Sequence, residues 1–350
     1  MVRSSALCAG AGASVDVDGW SVASAYDDPA REYAALRDDA ALVDLAFRAR
    51  LRVTGEDRVA FLQGMLSNDV QRLAPGDGCH SLLLTEQGKI VADGVVLALA
   101  DAIVLDARGS GIARAADALA RYIVADDVDL TRDDTTHAVG IFGPRAADAL
   151  ASLGIESTPD RPYAHVAVER DGGTLRVARI PQPGAGGFLC IVAEEAVEPW
   201  WRAARERGLA AAGFAAFDTL RIESGVPAYG VDVGPDTIAL EAPLEDAISF
   251  RKGCYLGQEV IERVSARGHV NRKLVPLTID AEAPPSAGDV VFAGDKEIGR
   301  ITSAAWSWRL AKPVALGYVR REHVAPGTRV EVHAAAGILA ATVQPAPSGA

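Results

Sequence analysis

The chain has 350 residues, of which 49% are apolar and 23% charged, a balance typical of a globular protein with two or three domains. Its net charge of −12 argues against broad nucleic-acid binding, which needs surplus Lys and Arg, so we expect no direct nucleic-acid partner. No apolar run reaches the roughly 20 residues that cross a bilayer, so we expect no membrane span.

The first twenty residues are small and mixed, and residues 4–13 are too rich in Gly and Ser for a signal sequence. We therefore predict a flexible tail over residues 1–20. The four cysteines are far apart and form no CxxC pair: Cys8, Cys79, Cys190 and Cys254. This spacing favours reduced thiols in the cytoplasm over a disulfide framework or a zinc site, so we expect a cytoplasmic protein and no metal ligands.

Hydrophobic periodicity predicts alternating strands and helices in the first half of the chain. In chain order they are a helix over Glu32–Asp39, a strand over Ala49–Thr54, a helix over Asp57–Leu66, strands over Ser81–Leu84 and Ile90–Leu99, a helix over Ala113–Tyr122, a strand over Ala138–Phe142 and a helix over Arg145–Leu153. The two strands around Glu86–Gly88 form a hairpin. Strand, glycine turn and helix follow one another at Gly55 and again at Gly143, which indicates two α+β halves of similar plan.

The second half begins with the same elements and then changes to short strands. A strand over Phe188–Val192 precedes helices over Ala196–Arg207 and Phe217–Ser224, and residues 229–249 have no regular pattern. Six short strands follow, over Lys273–Ile279, Val290–Ala293, Ile298–Ala304, Val314–Tyr318, Arg329–His333 and Ile338–Val343. Turn residues separate them at regular spacing, which predicts a small antiparallel barrel.

The segment Ile248–Glu259 contains a thiol, Cys254, between two glycines and shortly after two cations, Arg251 and Lys252. Nearby positive charge lowers the pKa of a thiol, and glycine allows close backbone approach or a positive φ. Gln258 and Glu259 add polar groups at the start of a helix predicted over Glu259–Val264. The arrangement suits a reactive thiol or a ligand-binding loop, and the alternative is a tight turn around a buried cysteine.

The run Lys-Gly-Cys-Tyr-x-Gly-Gln-Glu at 252–259 resembles the signature of the YgfZ family of folate-binding proteins. The resemblance continues at Arg263, Arg267, Gly268, Asn271, Arg272 and Lys273. It implies a tetrahydrofolate-binding protein that maintains iron–sulfur proteins, including an iron–sulfur enzyme of tRNA modification. Its partners would then be folate and iron–sulfur client or assembly proteins.

A wider stretch, from about Tyr33 to Val332, is similar to the glycine-cleavage T-protein, an aminomethyltransferase (GcvT). The similarity is carried by the runs Ala41–Leu45, Val53–Gly55, Ser67–Val70, Glu86–Ile90, Leu220–Glu223 and Ile301–Ser303. It implies an α+β fold of three domains in a clover-leaf, with two α/β folate-binding halves and a C-terminal barrel. We expect a folate-binding region over 21–270, its subdomains being 49–130 and 21–48 plus 131–230 with a motif loop over 231–270, then a barrel over 271–344 and a tail over 345–350.

The T-protein resemblance places an aspartate beside the reduced pterin, and Asp93 is its equivalent here, preceded by Ala92 where that family has a second acid. Such a carboxylate accepts a hydrogen bond or stabilises a developing cation; the alternative is a bulge or turn residue. Other T-protein features are missing. Leu189 stands for the pterin-gripping glutamate, Phe217 for a basic residue, and Asp106 for a pocket amide.

The resemblances imply Cys254 and Asp93 as reacting residues and a wider set of folate-binding residues. That set is Asn68, Asp93, Arg221, Lys252, Gly253, Cys254, Tyr255, Gly257, Gln258 and Glu259. Residues 251–273 hold six Lys or Arg against two Glu, a basic run that would attract the glutamate tail of a folate.

Three functions follow as alternatives. The first is a tetrahydrofolate-dependent factor for iron–sulfur protein assembly or repair, with Cys254 as its key thiol. The second is a tetrahydrofolate-dependent aminomethyltransferase of glycine cleavage, the transferase class expected if the chain is catalytic. The third is a non-catalytic folate-binding scaffold in which Cys254 only packs.

Overall fold

The structure is a computed structural model that describes residues 2–170 and 173–345, so residues 346–350 of the predicted C-terminal tail lie outside the described residues. The chain divides into two compact units. The first contains residues 1–84, 91–217 and 246–256, and the second contains residues 85–90, 218–245 and 257–350.

The N-terminal segment is ordered, and the prediction of a flexible tail over residues 1–20 is wrong. Strands β1 (Arg3–Ser4), β2 (Ala13–Val17) and β3 (Trp20–Ala25) form a three-stranded sheet in the order β1-β3-β2. Leu7 is buried in a hydrophobic core of the first unit, which anchors the segment. A few apolar residues among Gly and Ser therefore suffice to order this stretch.

A five-stranded sheet carries the residues of most interest. Its strands are β5 (Arg48–Thr54), β6 (Gly78–Leu84), β7 (Ile90–Ala98), β8 (Ile103–Arg108) and β9 (Asp129–Asp133), in the order β6-β7-β8-β5-β9. Helices α2 (Arg58–Met65) and α3 (Gly109–Ala120) cover it, because Phe61, Leu62 and Ile112 pack into the core that the strands provide.

A six-stranded sheet completes the first unit. Its strands are β4 (Ala41–Asp44), β10 (Thr136–Phe142), β11 (His165–Arg170), β12 (Gly173–Ile180), β13 (Gly187–Ala193) and β14 (Ala210–Ala212), in the order β11-β12-β13-β10-β4-β14. Helix α1 (Pro29–Asp38) begins at Asp28, whose side chain accepts a hydrogen bond from Ala30. Helices α4 (Ala146–Ser152) and α5 (Glu194–Glu206) pack on this sheet through Leu150 and Trp201.

The second unit ends in a closed barrel of six antiparallel strands. They are β15 (Arg272–Asp280), β16 (Val290–Ala293), β17 (Lys296–Ser307), β18 (Lys312–Arg320), β19 (Arg329–Ala334) and β20 (Gly337–Val343), in the order β15-β18-β17-β16-β19-β20. Helix α6 (Phe214–Glu223) enters this unit, and α7 (Gln258–Arg267) precedes the barrel. The predicted α+β fold with a C-terminal antiparallel barrel is confirmed.

Across the described part of the chain, no helix has the length and apolar character that crossing a membrane requires.

Candidate functional site

Asp93 lies within strand β7 and not in a turn, and its side chain is 12% exposed. Strand β6 lies beside β7, and His80 of β6 places its Nε2 atom 2.5 Å from Asp93 Oδ1. Within the described residues no other hydrogen bond to Asp93 is formed, so Oδ2 is free to accept one from a ligand. The carboxylate is therefore held through one oxygen and available through the other.

Asp246 approaches the same imidazole from the opposite side. Its Oδ2 lies 3.1 Å from His80 Nδ1 and accepts a hydrogen bond of 3.0 Å from the Tyr163 hydroxyl. Asp246 is 57% exposed, whereas His80 is 16% exposed. The four side chains form a continuous chain of hydrogen bonds that begins at the Tyr163 hydroxyl. It contains one exposed carboxylate, Asp246, and one nearly buried carboxylate, Asp93.

The charge state of His80 follows from its neighbours. Burial alone would lower the pKa of this imidazole, but the charges and hydrogen bonds of Asp93 and Asp246 raise the pKa to about 10. His80 is therefore an imidazolium at neutral pH, and both of its N–H groups donate to carboxylates. The same contacts lower the pKa of Asp246, against the effect of its own burial.

Asn68, a predicted folate ligand, instead connects the elements that carry the site. Its side-chain Nδ2 donates to the backbone oxygens of His80 (2.8 Å) and Asp246 (3.0 Å). The Oδ1 atom accepts from the Asp69 amide at 2.9 Å. Each polar atom of the Asn68 side chain thus has an intramolecular partner, and its role as a folate ligand stays a prediction.

Lys252 is buried, and its ammonium binds the backbone at the end of α2. The Nζ atom donates to the carbonyl oxygens of Gln63 (2.6 Å), Leu66 (2.6 Å) and Asn68 (3.0 Å). It also lies 5.1 Å from the ring centroid of Tyr255, a cation–π distance. Burial lowers the pKa of Lys252 to about 8. The geometry is that of a structural cation, and folate binding by Lys252 and Tyr255 stays a prediction.

Cys254 is the exposed member of the four cysteines, and Gly253 beside it is exposed as well. Burial raises the pKa of Cys79 and Cys190 to about 12, so those thiols stay protonated. A Cβ atom at Gly253 would meet nothing within 4 Å, so the fold itself does not require glycine there. The predicted activation of Cys254 by Lys252 lacks support, because that ammonium is committed to carbonyl oxygens.

The rest of the run belongs to the second unit and begins α7. Gly257 has φ 84°, a left-handed conformation that requires glycine before the helix. Gln258 donates to Glu262 at 2.6 Å, and Glu259 pairs with Arg263 one turn later. Arg272 likewise pairs with Glu241. The basic run is therefore not a uniform exposed patch, because internal acids neutralise two of its cations and Lys252 is buried.

Arg221 of α6 is 5% exposed and surrounded by acceptors. Its guanidinium donates to Asp218 at 2.6 Å, to Asp232 at 2.5 Å and to the Ser303 hydroxyl at 2.8 Å. Asp232 also accepts from the hydroxyls of Thr302 and Ser303. Most donors of Arg221 are thus used inside the second unit, and its predicted contact with folate stays a prediction.

At the three positions where this chain departs from the T-protein pattern, each side chain packs or pairs within the protein and offers no polar contact to a ligand. Leu189 is 1% exposed in β13, and the ring of Phe217 lies 5.3 Å from that of Phe142. Asp106 is fully buried and pairs with Arg48. These positions now serve packing and internal ion pairing.

The structure brings Asn68 and Asp93 together around His80, which the sequence did not single out, and it adds two further residues that were not predicted as ligands. Asp246 and Tyr163 carry no motif, and Tyr163 lies far from Cys254 in the sequence. The predicted hairpin did not reveal His80, because its first strand was predicted to begin at Ser81, whereas the observed strand begins at Gly78. None of the described residues form a group of three His, Cys, Asp or Glu arranged to hold a metal ion.

Comparison with known proteins defines the class to which this fold and site belong. The GCVT N-terminal domain matches residues 5–252, and the glycine cleavage T-protein C-terminal barrel domain matches residues 272–348. The chain therefore belongs to the GcvT family, the glycine-cleavage T-protein family, and the resemblance to that family is confirmed.

Similar proteins cover nearly the whole chain. An aminomethyltransferase of Streptomyces coelicolor is 31% identical, over 89% of this chain and 87% of its own length. One of Chloroherpeton thalassium is 32% identical, over 87% of this chain and 86% of its own. The crystal structure of glycine cleavage system aminomethyltransferase T from Bartonella henselae superposes with a TM-score of 0.88 at 25% identity, covering 99% of this chain and 98% of that one.

Proposed function

We propose that this protein binds a reduced folate, tetrahydrofolate foremost, and that Asp93 is the carboxylate that accepts a hydrogen bond from the pterin. The observation that carries the proposal is the Asp93 carboxylate, fixed by His80 through one oxygen with the other unpaired among the described residues. A reduced pterin presents ring N–H groups, which are donors that match a free carboxylate oxygen. Membership of the GcvT family supports the same ligand class.

Bound tetrahydrofolate would supply a carrier for a one-carbon unit. The chain's own contribution begins with orientation, because His80 fixes the Asp93 carboxylate at a defined position on the sheet. A carboxylate at the pterin nitrogens stabilises positive charge that develops there and accepts an N–H hydrogen bond.

Replacing Asp93 with asparagine should weaken tetrahydrofolate binding by about tenfold or more, since a charge-assisted hydrogen bond is lost. Anaerobic isothermal titration calorimetry measures the affinity. Asp101→Asn is the matched control, because Asp101 is a surface acid, 73% exposed, and its loss should leave the affinity unchanged. Absence of heat and of thermal stabilisation with tetrahydrofolate in the parent protein would contradict folate binding altogether.

For the activity that uses the folate, we propose maintenance of iron–sulfur proteins as the first candidate. The run at 252–259 resembles the YgfZ signature, and its cysteine is exposed. Two polar residues of an aminomethyltransferase pocket, a glutamate and a basic residue, are also absent, because Leu189 and Phe217 occupy their positions. The iron–sulfur client or assembly protein would contact the exposed thiol region.

Aminomethyl transfer to tetrahydrofolate is the second candidate. It is favoured by the names of the relatives, which are aminomethyltransferases of about 30% identity over most of the chain. The comparisons therefore support this activity more directly than the first candidate, and Asp93 would serve both.

Two assays separate the candidates. Reconstitution with aminomethylated carrier protein and tetrahydrofolate should give methylene-tetrahydrofolate only at background level, and robust turnover would establish the second candidate. In a deletion strain, Cys254→Ala should fail to restore iron–sulfur enzyme activity, whereas Cys190→Ala, at a buried cysteine, should restore it if it folds. Full restoration by Cys254→Ala would leave a folate-binding scaffold as the function.

A further inference from the structure

A wide cleft of about 1100 Å³ lies in the second unit and includes none of the predicted folate-binding residues. Its walls are the loop over residues 230–237 and the adjacent ends of the barrel strands β15, β17 and β18. Its volume is comparable to that of small-molecule sites, which measure about 300–1,000 Å³. The cleft is therefore large enough to hold an organic molecule.

Three arginines meet at this cleft because of the register of the barrel strands. Arg272 of β15 pairs directly with Arg320 of β18, and Arg300 of β17 pairs directly with Tyr318 of β18. Paired residues share one face of a sheet, and so do residues two apart on one strand. The three arginines and Tyr318 therefore share one face of the barrel, and all four line the cleft.

Two of these arginines oppose each other across the ladder, which is unfavourable for like charges. Arg272 is neutralised, because its guanidinium donates to Glu241 at 3.2 and 3.1 Å and lies 4.4 Å from the ring centroid of Tyr318. Arg320 is exposed, and its side chain has neither an ion pair nor a hydrogen bond among the described residues. The barrel thus keeps an uncompensated charge where stability alone would favour a neutral side chain.

The acids of the cleft do not compensate Arg320, since each has another cation. The five acidic residues that line it form ion pairs at 2.5–3.9 Å: Asp232 with Arg221, Asp236 with Lys89, Glu241 with Arg272, Glu297 with Arg300 and Glu322 with Arg321. Among the described residues, Arg320 is the surplus cation of this lining. A local surplus of positive charge in a protein of net charge −12 favours an anionic ligand.

We propose that this cleft binds a small organic molecule through a phosphate group, which Arg320 contacts together with Arg272 and Arg300. A phosphate monoester has about two negative charges at neutral pH and three strong acceptor oxygens. The three guanidinium groups offer at least one N–H donor for each oxygen, since Arg272 keeps its Nη1 group beside the two contacts with Glu241. A carboxylate has only two oxygens and one charge, so it matches the three arginines less well.

Phenyl phosphate and benzoate are matched probes, because they share a ring and differ in the anionic group. Isothermal titration calorimetry at about 0.15 M salt measures both, since weak attraction to the surface is largely screened there. Phenyl phosphate should bind with a dissociation constant of about 0.1–1 mM, and benzoate at least about tenfold more weakly. Equal affinity for the two, or no heat with phenyl phosphate, would overturn the proposal.

Inorganic phosphate is the third probe, because it presents the anionic group alone. The cleft is much larger than a phosphate ion, so the ring of phenyl phosphate should add contacts and the free ion should bind more weakly. Inorganic phosphate that binds as tightly as phenyl phosphate would overturn the assignment to an organic ligand.

Arg320→Gln tests the residue itself, and Arg329→Gln is the matched control. Arg329 is an exposed arginine of β19 in the same barrel and does not line the cleft. Arg320→Gln should weaken phenyl phosphate binding by about tenfold through loss of a charge-assisted hydrogen bond, and Arg329→Gln should leave the affinity unchanged. Equal losses in the two variants would indicate attraction to the overall charge of the barrel and would overturn the proposal.

The thermal stability of Arg320→Gln separates ligand binding from a structural role. Removing one of two opposed arginines relieves their repulsion, so without ligand the variant should melt at the temperature of the parent or slightly above it. Saturating phenyl phosphate should raise the melting temperature of the parent more than that of the variant. A variant that melts well below the parent without ligand would make Arg320 a structural residue and overturn the proposal.

Tetrahydrofolate distinguishes this site from the proposed pterin site. At saturation it should leave the affinity for phenyl phosphate unchanged, and competition between the two ligands would overturn the proposal of a separate site. A protein that binds phenyl phosphate but no tetrahydrofolate would contradict the proposed function and support the phosphate site by itself.

Discussion

Replacing Arg221 with methionine should lower the free energy of unfolding by about 3–5 kcal/mol, the cost of breaking a buried ion pair from one side. Asp232 is fully buried and would lose its cation. Asp218 pairs with the same guanidinium and would lose that ion pair as well. The hydroxyls of the barrel residues near Asp232 donate to it but carry no charge. Urea unfolding followed by circular dichroism measures the loss.

Arg300→Met is the control within the same unit. Arg300 pairs with Glu297 at 3.5 Å, but the two side chains are 65% and 54% exposed, so the pair contributes little and the stability should change by less than about 1 kcal/mol. The folate prediction for Arg221 is tested on the same protein. Unchanged tetrahydrofolate affinity in the folded variant would make Arg221 purely structural, whereas a tenfold loss would support its place among the folate-binding residues.

Periodicity and turn residues predict most of the elements, because those elements are governed by local patterns. The predicted hairpin at Ser81–Leu84 and Ile90–Leu99 appears as β6 and β7, and the helix predicted at Asp57–Leu66 appears as α2. All six predicted barrel strands are present, since turn residues separate them at regular spacing. Boundaries shift by a few residues where the ends of strands are set by pairing.

The N-terminal sheet was missed for a physical reason. Strands β2 and β3 contain only scattered apolar residues, and their order comes from pairing with each other and from burial of Leu7 and Val17. Local composition in a Gly- and Ser-rich stretch predicts flexibility because it contains no information about a distant core.

The site shows the same limit. The sequence predicts which side chains are polar and, through resemblance, that Asp93 meets a ligand, but it does not reveal their partners. The acceptors of Lys252 are carbonyl oxygens more than 180 residues earlier in the chain, and no motif encodes a backbone oxygen. The orientation of the His80 ring likewise depends on its contact with Asp246, which lies 166 residues away in the sequence. Long-range pairs of this kind are fixed by the tertiary fold alone.

Replacing Lys252 with methionine should lower the free energy of unfolding by about 3–4 kcal/mol and weaken the folate site as well. The carbonyls of Gln63, Leu66 and Asn68 would lose their ammonium donor in a buried place, and each unpaired carbonyl costs about 1–3 kcal/mol, offset in part by removing a buried charge. Thermal and urea unfolding measure the stability, and calorimetry well below the melting temperature measures tetrahydrofolate affinity.

The affinity should fall because Lys252 acts on the site through Asn68. The Lys252 ammonium donates to the Asn68 carbonyl oxygen. The Asn68 side-chain amide in turn donates to the backbone oxygens of His80 and Asp246. Losing the first hydrogen bond therefore loosens the contacts that position Asp93. Arg251→Met is the matched control, since this neighbouring cation is exposed and its replacement should change stability by less than about 0.5 kcal/mol. If Arg251→Met weakened folate binding and Lys252→Met did not, the exposed cation would be the ligand and the buried one would have no part in the site.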